Sequence, residues 1–385
     1  MKTYQTLLAE AQPWAKEVFE KIDKKLSQMT LRSYDKLPDG TTPDGFHKEK
    51  SICWWTNGFW GGTNHLMYMQ TGNEDYLKTA RRSEEKMDEA LFHQFDGLHH
   101  DVGFMWHLLS GINARLYGDK ESRNRNLLAA ATLSSRFVLG GNFIRAWNGT
   151  WCDNYNWTIV DCMMNIPLLY WASEEVKDDR FKRIAMAHAD MCMRDHVRDD
   201  GSVVHIVQHD RDTGACVATF GGQGYAEGSS WSRGQAWGLY GFILSYMHTG
   251  EQRYLDTAKK IANYFIANCC DDWLPRVDFR APAEPVMYDS TAGACAACGL
   301  IELAKHLPEN EGGMYMHAAV KILQAMTENF VDWDPANDHM LGYGTVRYPV
   351  TGDWVKAEVH VSIIYAEYFY TEAILKLLGM EFNPW

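Results

Sequence analysis

The stretch "LHHDVGFMW", Leu98 to Trp106, sets two histidines and an aspartate against a run of large apolar residues. A second aspartate, Asp161, stands in a similar place in "TIVDCMMN" (158–165). Two carboxyls, each opening an apolar segment, suit general acid/base chemistry if their surroundings keep one protonated and the other charged. Asp161 lies in sequence between Ile159-Val160 and Cys162-Met163-Met164, a setting that raises a carboxyl pKa by desolvation. Asp101 follows two imidazoles and ionises more readily. A helix N-terminus pulls the Asp161 pKa the other way, so the sign stays open at this stage. N-capping is the competing reading for both, because aspartate accepts well from the free N–H groups of a first turn.

Other polar residues gather in similar places. Arg233, in "SWSRGQAW" between Trp231 and Trp237, is placed to hold a carboxylate with both prongs of its guanidinium. One of Trp54, Trp55 and Trp60 is expected as a flat platform for a sugar, the others as core. His99, His100 and His205 raise a metal reading, but no H-E-x-x-H or comparable ligand spacing is present, and no metal is expected. Cys295 and Cys298 form a C-x-x-C inside the Ala-rich run "TAGACAACGLIELAKHL", where small-residue packing is expected. No P-loop, GxGxxG or G-x-S-x-G motif occurs, and no cofactor is expected.

These residues need helices to hold them, and the chain repeats one unit: an apolar helix, a short turn and an amphipathic helix. In "TGEQRYLDTAKKIANYFI", Tyr254, Ala258, Ile261, Ala262 and Phe265 fall at helical spacing. Phe181, Ala185, Ala189 and Cys192 do the same, and Gly72, Gly118 and Gly250 stand where helices should end. Five such pairs, with an opening and a closing helix, make about six hairpins. The expected fold is all-α, an (α/α)6 barrel forming a single catalytic domain over residues 1–385. An open α-solenoid is the alternative. The longest non-helical stretches precede the inner helices, as if gathered at one rim. Strands are expected only in "GSVVHIVQHD" (201–210) and "MLGYGTVRYPV" (340–350), as small hairpins on that rim.

The formal net charge of −13 disfavours nucleic acid or an anionic membrane as partner. No segment approaches 18 consecutive apolar residues, the N-terminus reads as an amphipathic helix, and nine cysteines lack framework spacing. A cytoplasmic protein is expected, or a periplasmic one if a signal was trimmed, as a monomer or weak homo-oligomer. The 15 Trp, 19 Tyr and 16 Phe suit either a sugar-lined cleft or a large packed interior.

The motifs "WTNGFWGG", "HHDVGF", "IVDCMMNIPLLYW", "DGSVVH" and "GSSWSRGQAWGLYGF" occur in this order, and "YFYTEAIL" extends the match to the last helix. With them the chain resembles the unsaturated glucuronyl hydrolases, glycoside hydrolase family 88. The resemblance implies an (α/α)6 barrel that removes a 4,5-unsaturated uronic acid from lyase-generated oligosaccharides. It implies Asp161 as general acid/base and Asp101 as second carboxylate, with His100, Trp55, His205, Gln223, Arg233 and Trp237 touching the sugar. The chain departs from the family pattern at "IIYAEYFY" (363–370), where an aromatic-Gly-Asp is expected. In the loop before it, Tyr348 takes the place of a family tyrosine that touches substrate. Arg347 and Lys356 there either meet a sulfate or stay solvated rim charges. Competing readings are an unsaturated rhamnogalacturonyl hydrolase, an inverting glycosidase using Asp289, a sugar epimerase and a non-catalytic carbohydrate-binding toroid.

Overall fold

The computed structural model describes residues 2–149, 154–349 and 352–385. Helix α1 (Tyr4–Arg32) opens the chain, capped by Thr3 and burying Ala11, Ala15, Val18, Ile22, Leu26 and Met29 along one stripe. The repeat then follows as α2 (Asn57–Thr71) with α3 (Glu74–His93). A π-helical segment, Gly103–Gly111, runs on as α4 (Ile112–Tyr117) and is followed by α5 (Lys120–Ser134). A 3-10 turn, Val160–Met164, leads into α6 (Pro167–Val176) and α7 (Arg180–Asp195). The last pairs are α8 (Ser232–Thr249) with α9 (Gln252–Asn268) and α10 (Ser290–Lys305) with α11 (Glu309–Asn329), before the closing α12 (Ile364–Leu377).

Two helix populations explain the layering. Every residue of α8 from Ser232 to Ser245 and of α10 from Ser290 to Ala304 is buried, as suits helices surrounded on all sides. Helix α9 instead buries one stripe, Tyr254, Leu255, Ala258, Ile261, Ala262 and Phe265, and leaves the rest to solvent. Gly72, Gly118 and Gly250 end the first helices of their pairs with φ of 71°, 68° and 71°, a left-handed turn that glycine adopts without a Cβ penalty.

The ring closes. Around the inner layer α2 packs on the π-helical segment, that segment on α6, α6 on α8, α8 on α10, α10 on α12 and α12 back on α2. In the outer layer α1 packs against both α11 and α3. This is an (α/α)6 barrel, and the open solenoid is excluded by the α12–α2 contact. Along its axis Phe59, Phe104, Trp237, Tyr368, Phe369 and Trp385 stack into one aromatic core. Much of the aromatic content is therefore interior packing. Cys295 and Cys298 lie in this interior, with Cys298 Sγ donating to the Phe369 carbonyl at 3.2 Å.

Strand structure sits in the long connections before inner helices. A hairpin pairs β1 (Pro38–Thr41) with β2 (His47–Glu49), and a second pairs β3 (Phe137–Val138) with β4 (Phe143–Ile144). A three-stranded antiparallel sheet orders β5 (Trp157–Ile159), β6 (Ile206–His209) and β7 (Cys216–Phe220). Of the two expected strand regions, only 206–209 forms a strand. Residues 340–349 make isolated bridges, Leu341 to Val331 and Gly344 to Val361, and Val350 lies outside the described residues. Among the described residues no helix is long and apolar enough to cross a membrane.

Candidate active site

A cavity of about 360 Å³ opens where the inner helices begin. Six of the nine residues expected from sequence line it: Trp55, His100, Asp101, Asp161, Gln223 and Arg233.

Asp101 reaches the cavity because the chain turns sharply ahead of the π-helical segment. Its carboxylate accepts from Asn165 Nδ2 at 3.1 Å, and its Oδ2 lies 3.3 Å from His99 Nδ1 and 3.4 Å from His100 Nε2. Burial alone would raise its pKa, but the His100 and His99 imidazoles and the Asn165 amide outweigh that and hold it below the usual carboxylate range. Burial pushes the His100 pKa down to about 4, so that ring is neutral near pH 7. The sequence expectation that Asp101 ionises readily is matched by these partners. The ligand atoms of His99, His100 and Asp101 lie within 4.8 Å of one another, close enough to hold an ion. The same convergence sets both imidazoles against the carboxylate.

Asp161 lies in the 3-10 turn that follows β5. Val160, Cys162, Met163 and Met164 are buried in the core, while the Asp161 side chain turns outward to the cavity, 13% exposed. These four apolar neighbours therefore face away from it, whereas Ile159 lines the cavity beside it. Its Oδ2 has no hydrogen-bond partner and faces His205 Nε2 at 3.5 Å. Neither Asp101 nor Asp161 caps a helix with its side chain: Phe104 N donates to Asn165 Oδ1, and no side-chain cap bond forms at the 3-10 turn. Asp289 is the true cap, accepting from Thr291 N at the start of α10.

Arg233 departs from expectation in its bonding. It is 1% exposed, and its Nη1 donates to Asp289 Oδ2 (3.1 Å), Thr291 Oγ1 (3.0 Å) and the Thr345 carbonyl (2.7 Å). Its Nη2 donates to the Val346 carbonyl at 2.7 Å. The guanidinium lies over Trp231 and Tyr365, at 4.4 and 5.4 Å from the ring centroids. A fork with four internal acceptors is not open to a two-pronged clasp on a ligand, because a buried charge must first be paired within the fold.

Three expected contacts do not line the cavity. Trp237 is fully buried beneath its floor, 5.4 Å from Phe104 and 6.1 Å from Tyr365 between ring centroids. His205 stands behind Asp161, its Nδ1 accepting the Gln223 N–H at 2.9 Å. Tyr348 packs against Tyr225 at 4.9 Å, outside the cavity, and only its backbone N–H reaches the site, donating to the Gln223 carbonyl at 2.8 Å. Lys356 is a rim charge paired with Asp353, whereas Arg347 does line the cavity.

Sequence reasoning missed the β1–β2 hairpin, which brings Asp39, Lys48 and Lys50 to the mouth. Asp39 accepts from Trp54 Nε1 at 2.6 Å and pairs with Lys50 at 2.9 Å, while Lys48 pairs with Glu358 at 3.1 Å. The "PDG" runs at 38–40 and 43–45 were the available turn signal. Tyr365 was missed too, although it faces Trp55 at 4.7 Å and stands in the stretch that departs from the family pattern.

No family model matches the chain. An unsaturated glucuronyl hydrolase from Bacillus sp. (strain GL1) is 36% identical over 331 residues, covering 84% of this chain and 86% of that protein. This chain belongs to the unsaturated glucuronyl hydrolases. It is thus an enzyme, a glycoside hydrolase. An unsaturated chondroitin disaccharide hydrolase from Streptococcus pneumoniae is 31% identical and covers 94% of this chain and 91% of its own length. Among solved structures, an unsaturated glucuronyl hydrolase from Streptococcus agalactiae superposes with a TM-score of 0.89 at 28% identity, covering 96% and 94% of the two chains. A variant of an unsaturated glucuronyl hydrolase with dGlcA-Glc-Rha-Glc reaches a TM-score of 0.88 at 32% identity, covering 95% and 97%.

Proposed function

We propose that this chain removes a 4,5-unsaturated uronic acid from the non-reducing end of glycosaminoglycan-type disaccharides by hydrating the C4=C5 vinyl ether. Asp161 acts as general acid and then base, and Asp101 is the assisting carboxylate. The observation that carries the reading is the contrast between two aspartates on one cavity. Asp101 is wrapped in donors and held ionised, while Asp161 keeps an oxygen without a hydrogen-bond partner.

In this scheme Asp161 delivers its proton to C4, and the cation that forms is shared by C5 and the ring oxygen. The negative charge on Asp101 stabilises that cation. Water adds at C5 while Asp161 takes back a proton. The resulting hemiketal opens and releases the partner sugar. Trp55 and Tyr365 form an aromatic wall against which the ring can lie. With Arg233 tied to Asp289, the exposed Arg347 and Lys50 are the cations that meet the acidic groups of the sugar. The whole chain works as one catalytic domain, since the inner helices around the cavity run from Asn57 to Leu377.

The names of the related enzymes favour glucuronyl disaccharides over pectin fragments. The test uses unsaturated disaccharides from chondroitin, hyaluronan, heparin and pectin lyases, following loss of the conjugated-alkene absorbance. Turnover of a glycosaminoglycan-derived class, reduced about 10²–10⁴-fold in Asp161→Asn, is expected. Turnover of the pectin disaccharide alone would give preference to the rhamnogalacturonyl reading. Silence on all four with cleavage of saturated glycosides would replace hydration by ordinary glycoside cleavage.

A further inference from the structure

One buried side chain joins the two segments that carry the aspartates. Asn165 follows the 3-10 turn of Asp161, and its Oδ1 accepts the Phe104 N–H at 2.8 Å, within the first turn of the π-helical segment. With the oxygen so engaged, the amide must turn its Nδ2 the other way. There Nδ2 donates to Asp101 Oδ1 at 3.1 Å and to the Asp161 backbone carbonyl at 3.3 Å. The two backbones meet closely here, at a residue that has no side chain. A Cβ at Gly103 would lie 2.6 Å from Asn165 Cα and 2.7 Å from its Oδ1.

We propose that Asn165 is the positioning residue that fixes Asp101 against Asp161, one amide holding the carboxylate of the first and the backbone of the second. The proposal rests on the roles assigned to these aspartates above. A π-helical start leaves N–H groups without a partner in the helix, and the Asn165 oxygen satisfies the one at Phe104. The same side chain supplies a donor to a carboxylate that is otherwise expensive to keep charged in a buried place. The other charged or titratable groups facing Asp101 are His99 and His100 on its own segment, Asp161 and Cys162 on the 3-10 turn, and Arg136 beyond α5. None of them is held by both segments as Asn165 is.

The test compares wild type with Asn165→Asp and Asn165→Leu in kcat, KM and the pH profile of kcat/KM on the disaccharide that the wild type turns over. Asn165→Asp keeps an acceptor for Phe104 N–H but sets a second carboxyl against Asp101. Its acid limb should move up by about one pH unit or more, with kcat falling about 10–100-fold and KM changing only a few-fold. Asn165→Leu loses both functions and should also lower Tm. If Asn165→Asp is poorly folded, Asn165→Ser, which adds no charge, should show a smaller upward displacement of the same limb. An acid limb coincident with wild type in the folded variant, or a change confined to KM, overturns the proposal. Asp101→Asn and Asp161→Asn run alongside. If these stay active, the functional reading itself fails, whereas inactive aspartate variants beside an unaltered Asn165→Asp sink only the role of Asn165.

Discussion

His205 presents Nε2 to Asp161 Oδ2 at 3.5 Å while its Nδ1 accepts the Gln223 N–H. An imidazole that accepts at Nδ1 carries a proton on Nε2, so His205 turns an N–H toward one oxygen of Asp161 across a gap too long for a full hydrogen bond. In the proposed scheme that leaves Oδ1 as the oxygen that carries the acidic proton. His205→Phe keeps a ring beside Trp231, 4.3 Å away, but removes the donor. We expect kcat to fall about 10-fold, the low end for a donor set beside a carboxyl, with KM little changed. Steady-state kinetics by alkene absorbance checks this. An effect on KM alone would make His205 a sugar contact, as the family resemblance implies.

The Arg233–Asp289 pair predicts a stability effect. Both side chains are buried, and the contact is 3.1 Å. Removing either partner strands a charge in the core, so Arg233→Met or Asp289→Leu should cost about 3–5 kcal/mol. The double variant should lose less than the sum, and denaturant unfolding of the cycle measures this. A stable Arg233→Met with a raised KM for charged disaccharides would instead restore the two-pronged clasp on substrate.

Stability should fall in acid. Burial pushes the pKa of His47, His100 and His196 down to about 4 and that of His65 to about 3. The unfolded chain takes up these protons near pH 6.5 and the folded chain only far lower, so each histidine removes stability as pH drops through that window. The loss is about 1.4 kcal/mol per unit and group. Glu367 works in the opposite sense. Burial raises its carboxyl to about 7, so the fold holds that proton more tightly than the unfolded chain and gains stability as pH falls from 7 toward 4.5. Unfolding midpoints from pH 7 to 4 should decline, and more steeply in Glu367→Gln. A flat profile would contradict the burial of these rings.

The helices were legible because their signals are local. The Tyr254–Phe265 stripe marks an outer helix by itself, and the apolar stretch from Ala236 to Leu244 marks an inner one. Asp101 and Asp161 were legible as a pair because each opens such an inner segment. The hairpin carrying Lys48 and Lys50 was not, because its strands of four and three residues are too short for an alternating pattern to register.

By itself the sequence determined the repeat, the number of hairpins, the two aspartates and the family, all written in periodicity and in contiguous motifs. Only the tertiary structure decided which neighbours of those motifs meet the cavity. Arg233 and Trp237 lie four positions apart on one helix that is buried on every face, so no polar stripe shows which side is cavity and which is core. Arg233 reaches the cavity wall but spends its fork on Asp289, 56 residues away, and Trp237 sinks into the aromatic axis. Asn165 likewise acquires its place from Asp101, 64 residues earlier in the chain. Contacts at such separations exist only once the ring has closed.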